Sequence, residues 1–232
     1  GYQDVRPNPL MINLAGSPYI DLRVDFNSFL PAELPIKIKE KSINHYLNTI
    51  KKHPDLQDKI EFKVIETCYA LNSKKRLLQF LSKKETNIYL NELREITNNI
   101  IKKDSIILKN ELKKIKNLEN KIEILNKSKI SEIQKIFFYI KDCKKLGTLP
   151  FAGVARCAFI ATKILRSLVE IKILSEKDLE NFYESIFTVT KRMNLAYKKI
   201  NNINKKNSFL KMYGHLRPST YSITSKNYNE NF

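Results

Sequence analysis

The sequence predicts a mainly α fold, a helical bundle with a long helical hairpin and a small antiparallel β element near the N-terminus. The 232 residues include five Gly and eight Pro, which leaves few sharp turns and favours long helices. Apolar residues recur at helical spacing over most of residues 73–206. Ser82, Ser131 and Ser175 each stand three residues before a Glu, Gln or Asp, which is the spacing of a helix capping box.

The β element is predicted from two runs in which apolar and polar residues alternate, residues 20–26 and 60–64. Alternation with a period of two is typical of a half-buried strand. Between the two runs, apolar residues at helical spacing predict a helix over residues 35–53 that Pro54 closes. The N-terminal part is therefore expected to hold two short strands separated by a helix.

The hairpin is predicted from two apolar seams that step by three and four residues, one beginning at Leu93 and the other at Ile115. These seams predict two antiparallel helices over about residues 85–126, with the bend near residues 102–105. The hairpin is rich in Lys and carries none of the unusual motifs described below. We interpret it as a structural element or a docking surface.

Three more helices follow in the prediction. The first begins at Ser131 and is expected to end at Gly147, because glycine readily takes the left-handed conformation that closes a helix. The others are predicted from about residue 150 to beyond residue 168 and from residue 175 to about residue 206.

The domain organisation is predicted from where the unusual motifs lie. Residues 1–232 are interpreted as a single domain cut from a longer polypeptide, since the chain starts at Gly1 without an initiator Met. Residues 1–72 and 207–232 are expected to form the site, and residues 73–206 a helical body.

The net charge of +18 is compatible with a nucleic-acid partner, because Lys and Arg neutralise phosphates. However, Asn and Ile are abundant beside Lys, and A/T-rich codons produce that composition without any binding role. The sequence also lacks an RNP-type aromatic motif, a zinc finger and an evident helix-turn-helix. We therefore do not favour a nucleic-acid partner.

The three cysteines, Cys68, Cys143 and Cys157, are odd in number and lack CxxC spacing, so neither a disulfide framework nor a zinc site is indicated. A reducing, cytoplasmic location is expected. In the sequence no apolar stretch approaches the roughly 18 residues needed to span a membrane, and we expect no membrane partner.

Two candidate arginines stand near the N-terminus. Arg23 lies between Asp21 and Asp25 in the alternating run, where it is either an exposed strand residue in a weak ion pair or a rigidly held guanidinium for a carboxylate or phosphoryl oxygen. Arg6 has the same two interpretations. Arg156 follows small residues at a predicted helix start, a setting that suits an anion, although close helix packing explains the small residues equally well.

Other candidates are acidic or lie near the C-terminus. Asp58 and Glu61 could bind an ammonium group, or they are a turn Asp and a solvated strand Glu. His215 and Arg217 stand beside Pro218 in a predicted loop, followed by donors from Thr220 and Tyr221. His45 and His53 are interpreted as structural. No two histidines have metal-ligand spacing, and no metal site is expected.

Five segments together resemble the central region of phosphoenolpyruvate-synthase-like dikinases, and within that family the members that phosphorylate L-glutamine for capsular phosphoramidate biosynthesis. The segments are residues 1–7 (GYQDVRP), 16–23 with 26–29 (GSPYIDLR and FNSF), 58–62 (DKIEF), 147–151 (GTLPF) and 213–221 (YGHLRPSTY). Five motifs in order, spread over nearly the whole chain, are more specific than any one of them.

The resemblance implies a three-part enzyme in which an ATP-grasp domain uses ATP and Mg to phosphorylate a histidine on a mobile domain. That phosphohistidine then donates its phosphoryl group to an acceptor. The chain lacks a Gly-rich nucleotide loop, and His215 does not match the carrier signature of Thr or Ser followed by His and small residues. The resemblance therefore implies that the chain is the acceptor-binding domain, inactive by itself and without a cofactor of its own.

Within this resemblance, residue chemistry implies roles for the candidates. Arg23 and Arg217 are expected to clamp the moving phosphoryl oxygens, because phosphoryl transfer depends mainly on positioning and positive charge. Arg6 or Arg156 is expected to bind the α-carboxylate of L-glutamine. Glu61 or Asp58 is expected to bind its α-ammonium, with Thr220 and Tyr221 as further substrate contacts, and His215 to orient or deprotonate its amide.

Two alternatives stay open. One is a related acceptor domain for pyruvate, a sugar or an antibiotic hydroxyl. The other is a basic helical module that binds another protein or a polyanion, for which affinity should persist at physiological salt.

Overall fold

Helices dominate the protein in a computed structural model that describes residues 1–6, 8–102, 105–218, 220, 222 and 224–232. The predicted mainly α fold, with a long helical hairpin and a small antiparallel β element near the N-terminus, is confirmed. The chain divides into two compact units, Gly1–Leu174 (the first unit) and Ser175–Phe232 (the second unit).

The first unit contains the β element and most of the helical mass. Its elements are β1 (Met11–Leu14), β2 (Ser17–Ile20), α1 (Leu22–Phe29), α2 (Ile36–Lys52), α3 (Ser73–Leu77), α4 (Lys83–Ile101), α5 (Ile106–Lys127), α6 (Glu132–Asp142) and α7 (Leu149–Glu170). A 3-10 helix over Pro54–Lys59 leads into a π-helical turn over Ile60–Val64, and a second π-helical segment, Cys143–Thr148, joins α6 to α7.

The β element is a hairpin with a two-residue turn at Ala15 and Gly16. Both turn residues have positive φ, 51° and 86°, which is the conformation that matches the twist of two antiparallel strands. Met11 pairs with Ile20 at the open end and Leu14 with Ser17 at the turn. The predicted strand over residues 20–26 was therefore placed too late in the chain.

A helix, α1, replaces most of that predicted strand, and its cap explains why. The side chain of Asp21 accepts hydrogen bonds from the backbone N–H groups of Arg23 and Val24, which starts a helix at the next residue. Phe26 and Phe29 are then buried on one face. The predicted strand over residues 60–64 is likewise wrong, because this segment is the π-helical turn with Ile60 and Val64 buried one turn apart.

The long hairpin is formed by α5 and the continuous helix α6–α7, which is a later pair than predicted. The ammonium group of Lys121 donates a hydrogen bond to Asp142, and the hydroxyl of Tyr139 donates one to Asn126. The two helices are therefore antiparallel. The turn between the two helices lies at residues 128–131. The helix α4 packs instead against α3 and α7.

Gly147 does not end a helix, contrary to the prediction. It lies in the π-helical segment facing α5, where a Cβ would stand 3.2 Å from Leu118 Cδ2. A larger residue at this position would require Leu118 to shift by a few tenths of an ångström. Pro150 is tolerated two residues into α7, at the end of the π-helical segment where the regular hydrogen-bond ladder is already interrupted.

The main core lies between α1, α2, the π-helical turn and α4. Its central side chains are almost fully buried, and Tyr46 is 1% exposed. The fully buried members of this cluster include Phe26, Leu30, Tyr46, Ile65, Leu77, Tyr89 and Leu93. From α7, Phe159 packs edge-to-face on Phe62, with ring centroids 5.3 Å apart.

The second unit holds α8 (Glu176–Ser185), α9 (Val189–Lys198) and α10 (Ile203–Tyr213). The single helix predicted over residues 175–206 is thus broken twice, because Thr188 and Asn202 each cap a new helix with their side-chain oxygens. The capping box predicted at Ser175 is confirmed. An aromatic cluster around Phe209 holds this unit together.

One helix within the described residues is long and apolar enough to cross a membrane by length and composition, the 39-residue helix Glu132–Glu170. Only 17% of its most apolar stretch is buried inside the protein. The helix reaches this length because Gly147 does not break it. The prediction that no apolar stretch approaches the length of a membrane span is wrong by this criterion, and the expectation of no membrane partner stays a prediction.

Candidate functional site

Three carboxylates of the first unit line one cavity of about 560 Å³, which we call the acidic cavity. Asp25 comes from α1, Asp58 from the 3-10 helix and Glu61 from the π-helical turn. Its apolar walls include Leu22, Ile50 and Ile60. The fold therefore places Asp58 and Glu61, which are the predicted ammonium ligands, in one cavity and adds Asp25 to them.

The acidic cavity has an unusual electrostatic balance. Burial, together with the nearby carboxylate of Glu61, raises the pKa of Asp25 from 3.8 to about 6, while Arg156 opposes the shift. A bound cation would relieve the repulsion between the two carboxylates. The arrangement is therefore suited to an ammonium group.

Arg156 has its guanidinium occupied by the protein itself. It donates hydrogen bonds to the carbonyl oxygen of Ser28 at 2.8 Å and to the Ser28 hydroxyl at 3.1 Å. The guanidinium carbon also lies 4.7 Å from the ring centre of Tyr2 and 4.5 Å from that of Phe29. Burial lowers the pKa of Arg156 from its usual value. These contacts fasten the N-terminal segment and α1 to α7.

Arg6 and Arg156 both line a second cavity, of about 600 Å³, which we call the arginine cavity. Arg6 is exposed and forms a two-pronged ion pair with Asp4, and its hydrogen bonds lower the pKa of Asp4 to about 2. The predicted carboxylate ligands and the predicted ammonium ligands thus line different cavities. Arg23 is exposed at the start of α1, and its side chain has no partner among the described residues.

The C-terminal candidates belong to the second unit. His215 is exposed, and its ring has no hydrogen-bond partner in the described part of the chain. Arg217 donates from Nε to the carbonyl oxygen of Ser225 at 2.7 Å. The hydroxyl of Thr220 accepts a hydrogen bond from the backbone of Ser222. Tyr221 lies outside the described residues.

A third cavity, of about 410 Å³, was missed by the sequence analysis. We call it the His45 cavity, because the ring of His45 forms one wall by stacking on Phe80 with centroids 4.1 Å apart. His45 was interpreted as structural. One available signal was Glu66, a single charged residue in the otherwise uncharged run from Val64 to Ser73.

Glu66 is the centre of a buried ionic network beside the His45 cavity. Its carboxylate pairs with Arg76, accepts a hydrogen bond from Ser73 at 2.9 Å and lies 3.4 Å from Lys163 Nζ. Glu66 is 2% exposed and Lys163 is 5% exposed. Lys163 also donates to the carbonyl oxygen of Ile65 at 2.7 Å. Burial lowers the pKa of Lys163, whereas Glu66 opposes that shift.

The described residues contain no cluster of three or more His, Cys, Asp or Glu side chains that could hold a metal ion. No protein-family model matches the chain, and no curated protein and no solved structure matches it either. A functional interpretation of the chain therefore depends on its own residues and on the geometry of the three cavities described above.

Proposed function

We propose that this chain is the acceptor-binding domain of an ATP-dependent phosphotransferase of the phosphoenolpyruvate-synthase-like type, with L-glutamine as the acceptor. The observation that carries the proposal is the grouping of four of the five motif segments in the first unit. These segments are up to about 150 residues apart in sequence, yet they contact one another or line shared cavities.

The contacts between segments are specific. Tyr2 of the first segment packs on Phe29 of the second, with ring centroids 6.5 Å apart. Tyr2 also lines the arginine cavity with Leu149 of the fourth segment. Residues 18–20 and Leu22 of the second segment line the acidic cavity with Asp58 and Glu61 of the third. The four segments therefore group around two cavities, and the acidic cavity is the one that offers carboxylates for an ammonium group.

The acidic cavity supplies the chemistry for a small acceptor that carries an ammonium group. Asp25, Asp58 and Glu61 would hold the ammonium, while the acceptor's amide nitrogen faces the phosphohistidine of a separate domain. In the transfer, the amide nitrogen forms the new bond to phosphorus, the bond between phosphorus and the histidine nitrogen breaks, and the amide loses a proton. Within the first unit Arg23 is the candidate for charge stabilisation, and the roles predicted for His215 and Arg217, which belong to the second unit, stay predictions.

The test is a thermal-shift screen of the chain with L-glutamine, pyruvate and a sugar at millimolar concentration. A ligand that binds only the folded state raises the midpoint of unfolding. We expect L-glutamine alone to raise it, and the Glu61→Gln variant to abolish the rise. The matched control is Glu40→Gln, because Glu40 is exposed on α2 and does not line the acidic cavity.

Four outcomes would contradict the proposal in whole or in part. If no acceptor raises the midpoint, or if Glu40→Gln abolishes the rise as fully as Glu61→Gln, the acidic cavity is not an acceptor site. ATP consumption by this chain alone would show that it is more than an acceptor domain. A shift with pyruvate or a sugar in place of L-glutamine would reassign the acceptor and overturn the glutamine assignment.

A further inference from the structure

The His45 cavity lies between α2 and α3 and is closed by the end of α7. Its lining is mostly polar, and the cavity is large enough for a small ligand. The lining residues are His45, Tyr46, Thr49, Lys63, Val64, Glu66, Asn72, Lys75, Arg76, Gln79, Phe80 and Glu170. Asp25, Asp58 and Glu61 are absent from it, so it is separate from the proposed acceptor site.

The floor of the cavity holds its charges in fixed positions. Arg76 pairs with Glu66 through Nε and donates from its two terminal nitrogens to the carbonyl oxygens of Phe62 and Lys63, at 3.1 and 3.0 Å. Lys163, which does not line the cavity, also pairs with the Glu66 carboxylate, at 3.4 Å from Nζ. One carboxylate thus serves two cations, which leaves a net positive charge at the floor.

The rim adds two cations that the protein does not neutralise. Lys63 and Lys75 line the cavity, and neither ammonium group has a hydrogen-bond or ion-pair partner among the described residues. The remaining carboxylate of the lining, Glu170, accepts a hydrogen bond from the amide of Asn72. Four cations therefore face two carboxylates in and under the cavity, and a bound dianion would balance the excess.

Charge and ligand type narrow the choice of dianion. Lysine is a common phosphate ligand in proteins, because its ammonium group acts as a point charge that needs no fixed orientation toward the oxygens. Hydrogen phosphate carries two negative charges and therefore matches the excess of two positive charges. A dicarboxylate dianion has the same charge, so a comparison with malonate has to separate the two.

We propose that the His45 cavity binds a phosphate group, either as inorganic phosphate or on a small phosphorylated molecule. Lys63 and Lys75 contact its oxygens, and Arg76 and Lys163 supply further positive charge from their positions beside Glu66. This assignment goes beyond the proposed function, because it uses different residues and requires no acceptor.

The first experiment is calorimetric titration of the chain with inorganic phosphate at constant ionic strength. The Lys63→Gln/Lys75→Gln double variant should weaken phosphate binding by about tenfold or more, the loss expected for removed charged hydrogen bonds. The matched control is Lys59→Gln/Lys74→Gln, which removes the same charge from exposed residues outside the cavity. The control should stay within about twofold of the natural protein.

Three results would overturn the proposal: absence of phosphate binding to the natural protein, an equal loss in both double variants, or tighter binding of malonate than of phosphate. An equal loss would identify nonspecific attraction to a basic chain. Tighter malonate binding would assign the cavity to carboxylates.

The second experiment does not depend on any variant. The chain has three histidines, and His45 lines the cavity whereas His53 and His215 do not. In a proton NMR titration, phosphate should shift the imidazole resonances of His45 alone. A shift of equal size at all three histidines would contradict a specific site.

Discussion

Two regions of the first unit, one around α1, α2 and α4 and the other formed by α5 and α6, are both rich in apolar residues but bury them to very different extents. Around α1, α2 and α4, apolar side chains are packed away from solvent, with Leu93 and Tyr89 at 0% exposure. In α5 and α6 no described residue is buried, and Ile133 is 81% exposed. The apolar seam of a helix thus produces a core only where a third layer covers it, and the hairpin lacks that layer over much of its length.

The same contrast holds for the ion pairs of the two regions. The carboxylate of Glu66 is buried with two cations, whereas Glu123 and Lys127 pair on the surface of α5 with side chains 66% and 74% exposed. Water competes with the surface pair and weakens it, but it has little access to the Glu66 carboxylate, whose side chain is 1% exposed. Four predictions test this contrast between the packed region and the hairpin, in order of decreasing effect.

The largest effect is expected from Glu66→Gln. It leaves Lys163 and Arg76 without the buried carboxylate that balances them, which should cost about 3–5 kcal/mol in the free energy of unfolding. Urea unfolding measures the loss. Glu123→Gln is the surface control and should change the free energy by less than about 1 kcal/mol.

A double variant tests whether the loss of stability comes from the unbalanced cations. Adding Lys163→Met to Glu66→Gln should recover part of the loss, because one of the two unbalanced cations is then gone. If Glu66→Gln and Glu123→Gln lower the free energy of unfolding equally, the buried ion pair contributes no more than the surface pair.

The next effect concerns core packing. Leu93→Ala should cost about 2–5 kcal/mol, because the side chain is fully buried and its removal leaves a cavity. Ile133→Ala in α6 should stay within about 0.5 kcal/mol. A large loss from Ile133→Ala in urea unfolding would show that the exposed hairpin face is covered in solution.

A smaller effect is expected at Arg156. Arg156→Met removes two hydrogen bonds to Ser28 and the contacts with the rings of Tyr2 and Phe29, at a cost of about 2 kcal/mol. Because Tyr2 is then less firmly held, the N-terminal segment should be cut faster in limited proteolysis. Arg23→Met is the matched control, since Arg23 is exposed. If cleavage is unchanged in Arg156→Met, then Arg156 does not anchor that segment.

The smallest effect depends on pH. The pKa of Asp25 is raised in the folded protein from 3.8 to about 6, so the folded state binds its proton more tightly than the unfolded state does. The resulting stabilisation is present below pH 3.8 and is lost as pH rises through about 6. We therefore expect the stability of the natural protein to fall relative to Asp25→Asn over this range. Parallel pH profiles in urea unfolding would argue against a raised pKa at Asp25.

Local chemistry made much of the fold predictable. The capping boxes at Ser82, Ser131 and Ser175 form as expected, because each depends on residues within one helical turn. The helix predicted over residues 35–53 is present as α2 for the same reason. The sequence also indicated Asp58 and Glu61 as a pair, and the fold places both in one cavity.

The wrong predictions have a common cause. The pattern of neighbouring residues favoured one structure, whereas contacts with residues far away in the sequence favoured another. The alternation in residues 20–26 gave way to a helix, which the cap at Asp21 starts and the burial of Phe26 in the core stabilises. Similarly, Gly147 continues a helix because α5 approaches it closely. The His45 cavity escaped prediction because its cations come from three separate segments.

The sequence by itself determined the helical class, the helix starts at Ser82, Ser131 and Ser175 and the excess of positive charge, since these depend on composition and on residues within a few positions of one another. Only the tertiary structure decided which helices pair, that Arg156 is held by contacts within the protein and that the carboxylate of Glu66 is buried. Those outcomes depend on contacts between residues that are about 100 positions apart, such as Glu66 with Lys163 and Ser28 with Arg156. Burial then sets their energies, because a charge removed from water must find its partner within the fold.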